Sequence, residues 1–371
     1  MAEFVATAGR IVKYVPRQAA FYGSGGALFG IYLRNILLTL ITLGVYYFWA
    51  KNRTRTYLVT QCEFEGDRFA WHGTGKELFK GALKLLVIGL PIAFLAFVAP
   101  VLWESVFAQL ASQVVLFLVY VLLVPLASVA SRRYRMTRVS WRGIRFSFRG
   151  RARDFFKVYL GGSFLTTITL GLYYPYWQTR IRKFMTDHSY FGNVRFGFDG
   201  DGKALFGRFL ALVAAIAAAL VFVGFSFGRV VMSAFAKGER APDFVRALMG
   251  LIGPLLVSGA AVVLVVWLWF AAFRHRYNWS HTTFGTARFR STVTAGPLFL
   301  LALTNMLLTV VTLGLAIPWV IVRNAKFYLA NVQLDGPLDL TAILQEAQAA
   351  GATGESLADA LDVDFGFELP L

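Results

Sequence analysis

Charged residues and cysteines are scarce in this sequence of 371 residues, and each shortage excludes a class of protein. Only 15% of the residues are charged, against about a quarter in typical soluble domains, and 57% are hydrophobic. A single cysteine, Cys62, excludes a framework of disulfide bonds within the chain. The four histidines are scattered, so we expect neither a metal site nor a cofactor. This composition is typical of a membrane protein.

Carboxylates are nearly absent from the long apolar runs, and no nucleophile, base and acid are grouped in the sequence. A proton relay through a membrane requires such carboxylates, so the sequence argues against one. Of the three functions that we consider for this chain, that of an enzyme embedded in the membrane is therefore the least supported. The first 18 residues lack the apolar core of a signal peptide, so we expect insertion through internal segments.

Four apolar runs are long enough to cross a bilayer, which takes about 18 to 20 residues. They cover residues 82–103, 114–130, 204–227 and 251–273. We therefore predict a mainly α-helical, polytopic membrane protein with four full spans.

A hairpin motif recurs around these runs. One aromatic position in its four copies is occupied by Phe64, Trp141, Phe191 and Phe284, and an Arg-Phe pair follows each time. Turn residues and alternating aromatic side chains predict two short β-strands per copy. Because an isolated hairpin is barely stable, we expect the copies to share one β layer.

A second element, built around Thr-Leu-Gly, alternates with the hairpins. Its threonines and glycines are Thr42, Gly44, Thr169, Gly171, Thr312 and Gly314. Glycine suits a helix C-terminus that needs a left-handed residue, and Pro175 and Pro318 suit the first turn of the next helix. We favour re-entrant segments that break at Thr-Leu-Gly, where these six residues are ligand contacts or structural breaks. The alternative, three crossing helices, would make seven spans.

Positive charge is distributed unevenly along a chain of net charge +17. The segment 104–113 has no Lys or Arg, whereas the segment 131–154 contains nine Arg. The positive-inside rule places the first segment outside and the second in the cytoplasm. Since the hairpins are so similar, we expect all of them on the cytoplasmic face.

The repeats predict one membrane domain over residues 1–336, with units near 18–80, 134–208 and 277–336. Span pairs at 82–131 and 204–273 join these units. Residues 337–371 form a predicted acidic tail, since from Asp335 onward the chain has eight acidic residues and no basic one. We expect this tail to be cytoplasmic and loosely ordered, with transient contacts to the arginines of 132–153.

Basic side chains near the Thr-Leu-Gly element are the candidate anion contacts. One arginine recurs eleven residues after the motif's threonine in all three copies: Arg53, Arg180 and Arg323. Two positions later, Arg55 and Arg182 recur, but Ala325 stands in the third copy. Arg34 lies inside an apolar run, where a charged residue is a functional candidate. These side chains either contact an anion or lipid headgroup, or anchor the helices at the membrane surface.

The first Thr-Leu-Gly element carries a family pattern. From Phe21 to Arg55 it reads F-x-G-x(4)-L-F and then L-L-T-x-x-T-L-G-x-Y-x-x-W-x-x-x-R-x-R. The pattern resembles the YjgN family of bacterial inner-membrane proteins, whose function is unknown, over about residues 18–336. The resemblance implies an inner-membrane location and supplies no catalytic residues. The third copy departs from the pattern at Ala316 and Ala325.

Two functions remain open. The first is transport or permeation of a small anionic solute or lipid through the broken apolar segments. The second is a scaffold without transport, whose basic β layer binds anionic membrane lipids or a protein partner. We expect no nucleic acid partner, because basic and aromatic residues also gather at a membrane surface. A homo-oligomer is compatible with either function.

Overall fold

Pairs of helices alternate with pairs of strands in a computed structural model that describes residues 5–7, 10–12, 16–98, 101–102, 105–237, 241–337, 340 and 343. The helices are α1 (Gly25–Ile41), α2 (Tyr47–Thr60), α3 (Gly75–Ala93), α4 (Val106–Arg138), α5 (Ala152–Ile168), α6 (Tyr174–Asp187), α7 (Gly202–Lys237), α8 (Ala241–Ser280), α9 (Ala295–Val311) and α10 (Ile317–Ala330). A π-helical turn, Phe94–Val98, follows α3.

The strands are short. They are β1 (Val5–Thr7), β2 (Arg10–Val12), β3 (Arg17–Phe21), β4 (Cys62–Phe64), β5 (Asp67–Trp71), β6 (Val139–Trp141), β7 (Ile144–Phe148), β8 (Ser189–Phe191), β9 (Val194–Phe198), β10 (Thr282–Phe284), β11 (Ala287–Ser291) and β12 (Val332–Asp335). Strands β1 and β2 pair only with each other among the described residues.

Strands β3 to β12 form one closed antiparallel barrel, and each strand pairs with the next along the chain. The barrel closes where β12 pairs with β3 and Leu334 lies opposite Arg17. Closure pairs every edge, which stabilises hairpins that would be marginal alone. The expected shared β layer is therefore present, as a barrel. Since eight strands already enclose room for side chains or one small ligand, ten strands enclose more.

The helices form a ring at one end of this barrel. Four connections between strands are tight turns, and five are helical pairs. Because neighbouring strands run in opposite directions, all five helical pairs leave one end and all four turns lie at the other. Neighbouring helices contact each other around the ring, the π-helical turn links α3 to α4, and α10 contacts α1.

Three helices of the described chain are long and apolar enough to cross a membrane: Val106–Arg138, Gly202–Ser233 and Met249–Ser280. The predicted mainly α fold with four full spans and three re-entrant segments is therefore wrong, in the number of spans and in the closed barrel. The run 82–103 does not form one long apolar helix, because α3 carries four charged side chains in its first half and gives way to a π-helical turn after Ala93.

Each Thr-Leu-Gly segment is a helical hairpin, in which the first helix has 17 residues and the second has 14. Their second helices, α2, α6 and α10, lead directly into barrel strands. Helices α2 and α6 carry several Lys and Arg residues, which suit the rim of the barrel better than the interior of a bilayer. This polarity is the physical reason why the re-entrant interpretation fails.

The break at Thr-Leu-Gly has the hydrogen bonds of a Schellman motif. Gly44 N donates to Thr39 O (2.8 Å), and Leu43 N donates to Leu40 O (3.2 Å). The left-handed residue at the helix end is the leucine, with φ 49°, and Gly44 follows at φ 92°. The prediction of a positive φ at the glycine is confirmed, but the helix reverses one residue earlier. Pro175 and Pro318 lie in the first turn of the following helices, as predicted.

Polar and aromatic contacts join the two helices of each short hairpin. Asn35 Nδ2 donates to Ala50 O (3.2 Å), and Asn305 Nδ2 donates to Asn324 Oδ1 (2.8 Å). The corresponding residue of the second hairpin is Gly162, where a Cβ would lie 1.9 Å from Trp177 Cδ1. Glycine is required there because a tryptophan ring fills the space that asparagine uses in the other two hairpins.

Candidate functional site

A cavity of about 260 Å³ lies where the helix ring meets the barrel. Side chains from the inner face of the barrel and from the helices that lead into it form its walls. Among the described residues that line it, five are arginines and none is acidic. The volume is close to the lower end of the range for small-molecule sites, about 300–1,000 Å³.

Four residues form a ring on the helix side of the cavity. They stand seven residues before the first residue of β4, β6, β8 and β10: Arg55, Arg132, Arg182 and His275. Ala325 occupies the corresponding position before β12. At a rise of 1.5 Å per residue, this level lies about 10 Å beyond the strands. Arg135, one turn further along α4, adds a fourth guanidinium.

Aromatic faces and hydroxyl groups surround the ring arginines, which are half-buried. Arg182 Cζ lies 5.8 Å from the centroid of the Trp279 ring and 5.7 Å from that of Phe198. Arg132 Nη2 donates to Ser189 Oγ at 3.4 Å. Cation–π contacts of this kind hold a guanidinium in place while its charge remains.

His275 completes the ring as a neutral imidazole. Trp279 Nε1 donates to His275 Nε2 at 3.1 Å, and since an indole N–H can only donate, Nε2 carries a lone pair. Nδ1 then carries the proton and donates to Ser291 Oγ at 3.0 Å. The positive charge of the ring therefore comes from its arginines.

Aromatic side chains line the barrel interior below the ring. They are Phe64, Phe69, Trp141, Phe146, Phe191, Phe196, Phe284 and Phe289. Neighbouring rings contact each other around the barrel; for example, the centroids of Phe146 and Phe191 lie 4.7 Å apart and those of Phe196 and Phe284 lie 4.6 Å apart. Each Arg-Phe pair directs its phenylalanine inward and its arginine outward, because successive side chains of a strand face opposite sides.

Residues near the C-terminus close the turn end of the barrel. Ile343 is 4% exposed and packs in the cluster that contains Trp141, Phe191 and Phe284. Leu340 also lines the cavity. The predicted loose order concerns the acidic tail at 337–371, of which the structure describes residues 337, 340 and 343, and Leu340 and Ile343 pack against the barrel. The other tail residues lie outside the described part of the chain, as do the predicted contacts of the tail with the arginines of 132–153.

Thiol chemistry and metal binding find no support in the described ranges. Cys62, at the start of β4, is 1% exposed, and burial raises the pKa of its thiol to about 12. The thiol is therefore protonated at neutral pH and is a poor nucleophile. Within the described residues, no three His, Cys, Asp or Glu side chains are grouped so as to hold a metal ion.

The model of one protein family, described as "Bacterial protein of unknown function (DUF898)", matches residues 16–360. The chain belongs to this family. The inner membrane protein YjgN of Salmonella typhimurium is 24% identical over 364 residues, which cover 86% of this chain and 88% of that protein. YjgN of Escherichia coli K12 is 31% identical over 151 residues, 41% of this chain and 36% of that protein. The resemblance to YjgN is thus confirmed, and no solved structure matches.

The Thr-Leu-Gly residues of this DUF898 protein lie at the tips of the helical hairpins, and none of them lines the cavity. Thr42 Oγ1 donates to Leu38 O (2.7 Å) and accepts from Tyr46 N (2.9 Å). Thr169 and Thr312 make the corresponding pair of hydrogen bonds. Gly44, Gly171 and Gly314 follow at φ 88–92°. These are the bonds of a structural break, and ligand contact at these residues stays a prediction.

The four predicted anion contacts also lie outside the residues that line the cavity. Arg34, Arg180 and Arg323 are exposed, and Arg53 is half-buried beside a groove between α1 and α2. Arg53 donates to the Tyr46 hydroxyl (3.3 Å), and Arg323 donates to the Thr304 hydroxyl (2.8 Å). The guanidinium of Arg180 lies 5.6 Å from the centroid of the Tyr173 ring.

The sequence analysis did not single out the cavity arginines as a group. It favoured Arg53 and Arg180, because an arginine recurs at their position in all three copies of the Thr-Leu-Gly element. Arg55 and Arg182 lie two positions later, which is about 200° around a helix of 3.6 residues per turn, and so they face the opposite side. One signal could have found them: counting back from the hairpin strands places Arg55, Arg132 and Arg182 at one position.

Proposed function

We propose that this protein lies in the bacterial inner membrane and binds a small anion in the cavity, as a step in the transport or permeation of that anion. The observation that carries the proposal is the group of Arg55, Arg132, Arg135 and Arg182 around one cavity. Three long apolar helices and the names of two relatives support the membrane location.

Guanidinium groups are well suited to hold an anion in this position. Each presents several N–H donors in a planar fork that matches a carboxylate or phosphate. Their half-burial lowers the local dielectric constant, which strengthens the attraction to an opposite charge. Four guanidiniums around one space favour an anion with more than one oxygen.

The proposal includes an orientation, with the barrel on the cytoplasmic side. Residues 105–113, at the end of the α3–α4 pair away from the barrel, include no Lys or Arg. The segment 131–154, which enters the barrel, contains nine Arg. The positive-inside rule then favours a cytoplasmic barrel, and Leu340 and Ile343, which pack in the barrel after β12, lie on the same side.

A scaffold that binds anionic lipid through its hairpins has less support. Outward arginines of the barrel form ion pairs with carboxylates in or next to its strands: Arg288 with Asp199 after β9 (2.6 Å), Arg195 with Asp187 at the end of α6 (3.6 Å) and Arg68 with Glu63 in β4 (3.9 Å). These pairs reduce the positive charge of the outer surface, whereas the inner arginines share a cavity.

The test is the binding of inorganic phosphate by the full-length protein in lipid nanodiscs at constant ionic strength. Trp71, Trp141 and Trp279 line the cavity, so tryptophan fluorescence reports on it. We expect a saturable change in the wild type. We expect at least about tenfold weaker binding in Arg182→Gln, because a hydrogen bond to a charged group contributes about 1.5–3 kcal/mol. Uptake of labelled phosphate into proteoliposomes should fall in the same variant.

Arg180→Gln is the matched control, since Arg180 lies on the same helix outside the cavity. It should bind phosphate as the wild type does. Arginines near helix C-termini also offset the partial negative charge there, so the melting temperature is measured in parallel. Loss of stability without loss of binding in Arg182→Gln would assign a structural role and overturn the proposal. Equal loss of binding in both variants, or no saturable binding by the wild type, would do the same.

A further inference from the structure

The cavity has two chemically different ends, and we infer that its ligand is a small amphipathic anion: a carboxylate or phosphate joined to an apolar body. This inference rests on the proposed function, because it names the class of anion that the same cavity holds. It depends on the order in which charged and apolar side chains follow one another along the barrel axis.

Three levels succeed each other from the helices into the barrel. The outermost level is the arginine ring. The second level stands three residues before the strands and is mainly apolar: Val59, Met136, Thr186, Trp279 and Leu329. The third level is the aromatic lining of β4 to β11. The cavity therefore changes from cationic to mainly apolar over the length of a few residues. One arginine, Arg17 at the start of β3, lines the far level, where it pairs with Glu65 (3.7 Å).

A bare inorganic anion would occupy only the first of these levels. It would leave the aromatic lining in contact with water, and displacement of that water by an apolar group is favourable. Ligand sites are typically apolar with a few polar groups that fix the orientation of the ligand. The arrangement thus favours an anionic head at the ring and an apolar body directed into the barrel.

The far end of the cavity limits the length of that body. Leu334 and Leu340 line the cavity at the turn end of the barrel, and Ile343 packs in the same apolar cluster. A volume of about 260 Å³ suits a ring system or a short chain better than a long acyl chain. A soluble amphiphile and a membrane lipid both combine an anionic head with an apolar body, and the experiment distinguishes between these two sources.

The experiment compares 1-naphthyl phosphate with inorganic phosphate by calorimetric titration of the full-length protein in phosphatidylcholine nanodiscs. We expect the naphthyl compound to bind about 10- to 100-fold more tightly, the range for burial of one aromatic group. Arg182→Gln should weaken both ligands. Phe196→Leu should weaken the naphthyl compound alone, and 1-naphthylmethylamine, which carries a positive charge on the same body, should not bind.

The outcomes separate this inference from the function on which it rests. Equal affinity for the two phosphates would overturn the amphipathic ligand and leave the anion site standing. No binding of either phosphate, or binding unaffected by Arg182→Gln, would overturn both. Because Phe196→Leu could disturb folding, Phe289→Leu in the same lining is measured as well, with melting temperatures. If neither phenylalanine variant weakens the naphthyl compound, the inference is wrong.

Nanodiscs that contain phosphatidylglycerol identify the source of the amphiphile. Weaker binding of naphthyl phosphate in those discs, with the melting temperature raised, shows that an anionic lipid occupies the cavity. Unchanged binding shows that a soluble amphiphile is the ligand. We expect the second result, because Leu334 and Leu340 line the far end of the cavity and a volume of about 260 Å³ leaves little room for an acyl chain.

Discussion

The outer and inner surfaces of the barrel use arginine in different ways. Outside, Arg288 pairs with Asp199, and the two side chains are 52% and 49% exposed. Inside, Arg55, Arg132 and Arg182 surround a cavity and contact aromatic rings or hydroxyl groups. An exposed ion pair contributes only about 0–1 kcal/mol, so the outer arginines serve solubility and local charge balance. The abundance of arginine in the hairpins is therefore a weaker guide to function than the direction in which each arginine points.

The two surfaces are one residue apart in the sequence. In β7, Phe146 lines the cavity inside the barrel, whereas the preceding residue, Arg145, is exposed. The same alternation separates Phe289 from Arg288. Since a shift of one residue in strand register would exchange the two surfaces, the closed barrel decides which arginines meet water.

The largest expected effect concerns the two ends of the barrel and is all-or-none. Single cysteines at Glu65, Arg142, Asn193 and Thr286, all exposed in the turns, should be labelled by an impermeant maleimide only from the cytoplasmic side. All four positions already carry side chains, two of them, Glu65 and Arg142, at φ 52° and 49°. They avoid the turn glycines, whose φ lies between 56° and 81° and where a new side chain would be strained. The native Cys62 is buried, with a pKa of about 12, and should stay unlabelled as an internal control.

Two results would break this picture in different ways. Labelling of one turn from the periplasm, and of the others from the cytoplasm, is incompatible with a closed barrel. Labelling of all four turns from the periplasm would preserve the barrel and reverse the proposed orientation.

The second effect compares a residue inside the barrel with one outside. Trp141→Ala should lower the free energy of unfolding by about 3–5 kcal/mol, because it leaves a cavity among packed rings. It also leaves the carbonyls of Phe64 and Asp67 without the indole donor (3.2 and 3.1 Å). Arg288→Gln should cost only about 0–1 kcal/mol. Unfolding by SDS titration in mixed micelles measures both.

Trp141→Phe is the control for this comparison, since it keeps an apolar ring and removes the indole N–H. Its loss of stability should lie between those of Trp141→Ala and Arg288→Gln. If Arg288→Gln were as destabilising as Trp141→Ala, the distinction between a packed inner surface and a solvated outer one would be wrong.

The smallest effect is a pH dependence at the barrel rim. His72 Nε2 lies 2.8 Å from Ser140 Oγ, and desolvation, with the charges of Arg145 and Arg138, lowers the pKa of His72 below 6.5. The unfolded chain then binds the proton more readily than the folded one. The contribution of His72 to stability is complete above pH 6.5 and is lost as the pH falls from 6.5 through the folded pKa.

Melting temperatures at pH 7.5 and pH 5.5 check this expectation. The wild type should lose slightly more stability than His72→Gln over that interval, and the difference should be small because His72 is exposed. An identical pH dependence of the two proteins would show that the neighbouring arginines do not act on this histidine.

Local features of the fold could be predicted from the sequence. The strands around Phe64, Trp141, Phe191 and Phe284 follow from alternating side chains and turn residues, which are local signals. The breaks near Gly44 follow in the same way from helix-end chemistry. The number of spans could not be predicted, because the length of the run 82–103 does not show that a π-helical turn interrupts it.

The sequence suggested an anion site but did not select the residues that line the cavity. A basic cluster near the Thr-Leu-Gly element suggested an anion site, but the structure places Arg55 and Arg182 in the cavity and leaves Arg53 and Arg180 outside it. Residues two positions apart on a helix face opposite sides, and only the packing of that helix shows which side is enclosed.

The sequence by itself determined the membrane character of the chain, the positions of its hairpins and the helix breaks, because each depends on neighbouring residues. The tertiary structure alone decided that the hairpins close into one barrel. That closure depends on strand pairs such as Phe69 with Trp141, 72 residues apart, whose backbone hydrogen bonds leave no mark on side-chain choice. The same closure brings Arg55, Arg132 and Arg182 from three distant helices to one cavity, because each helix leads into a strand of the barrel.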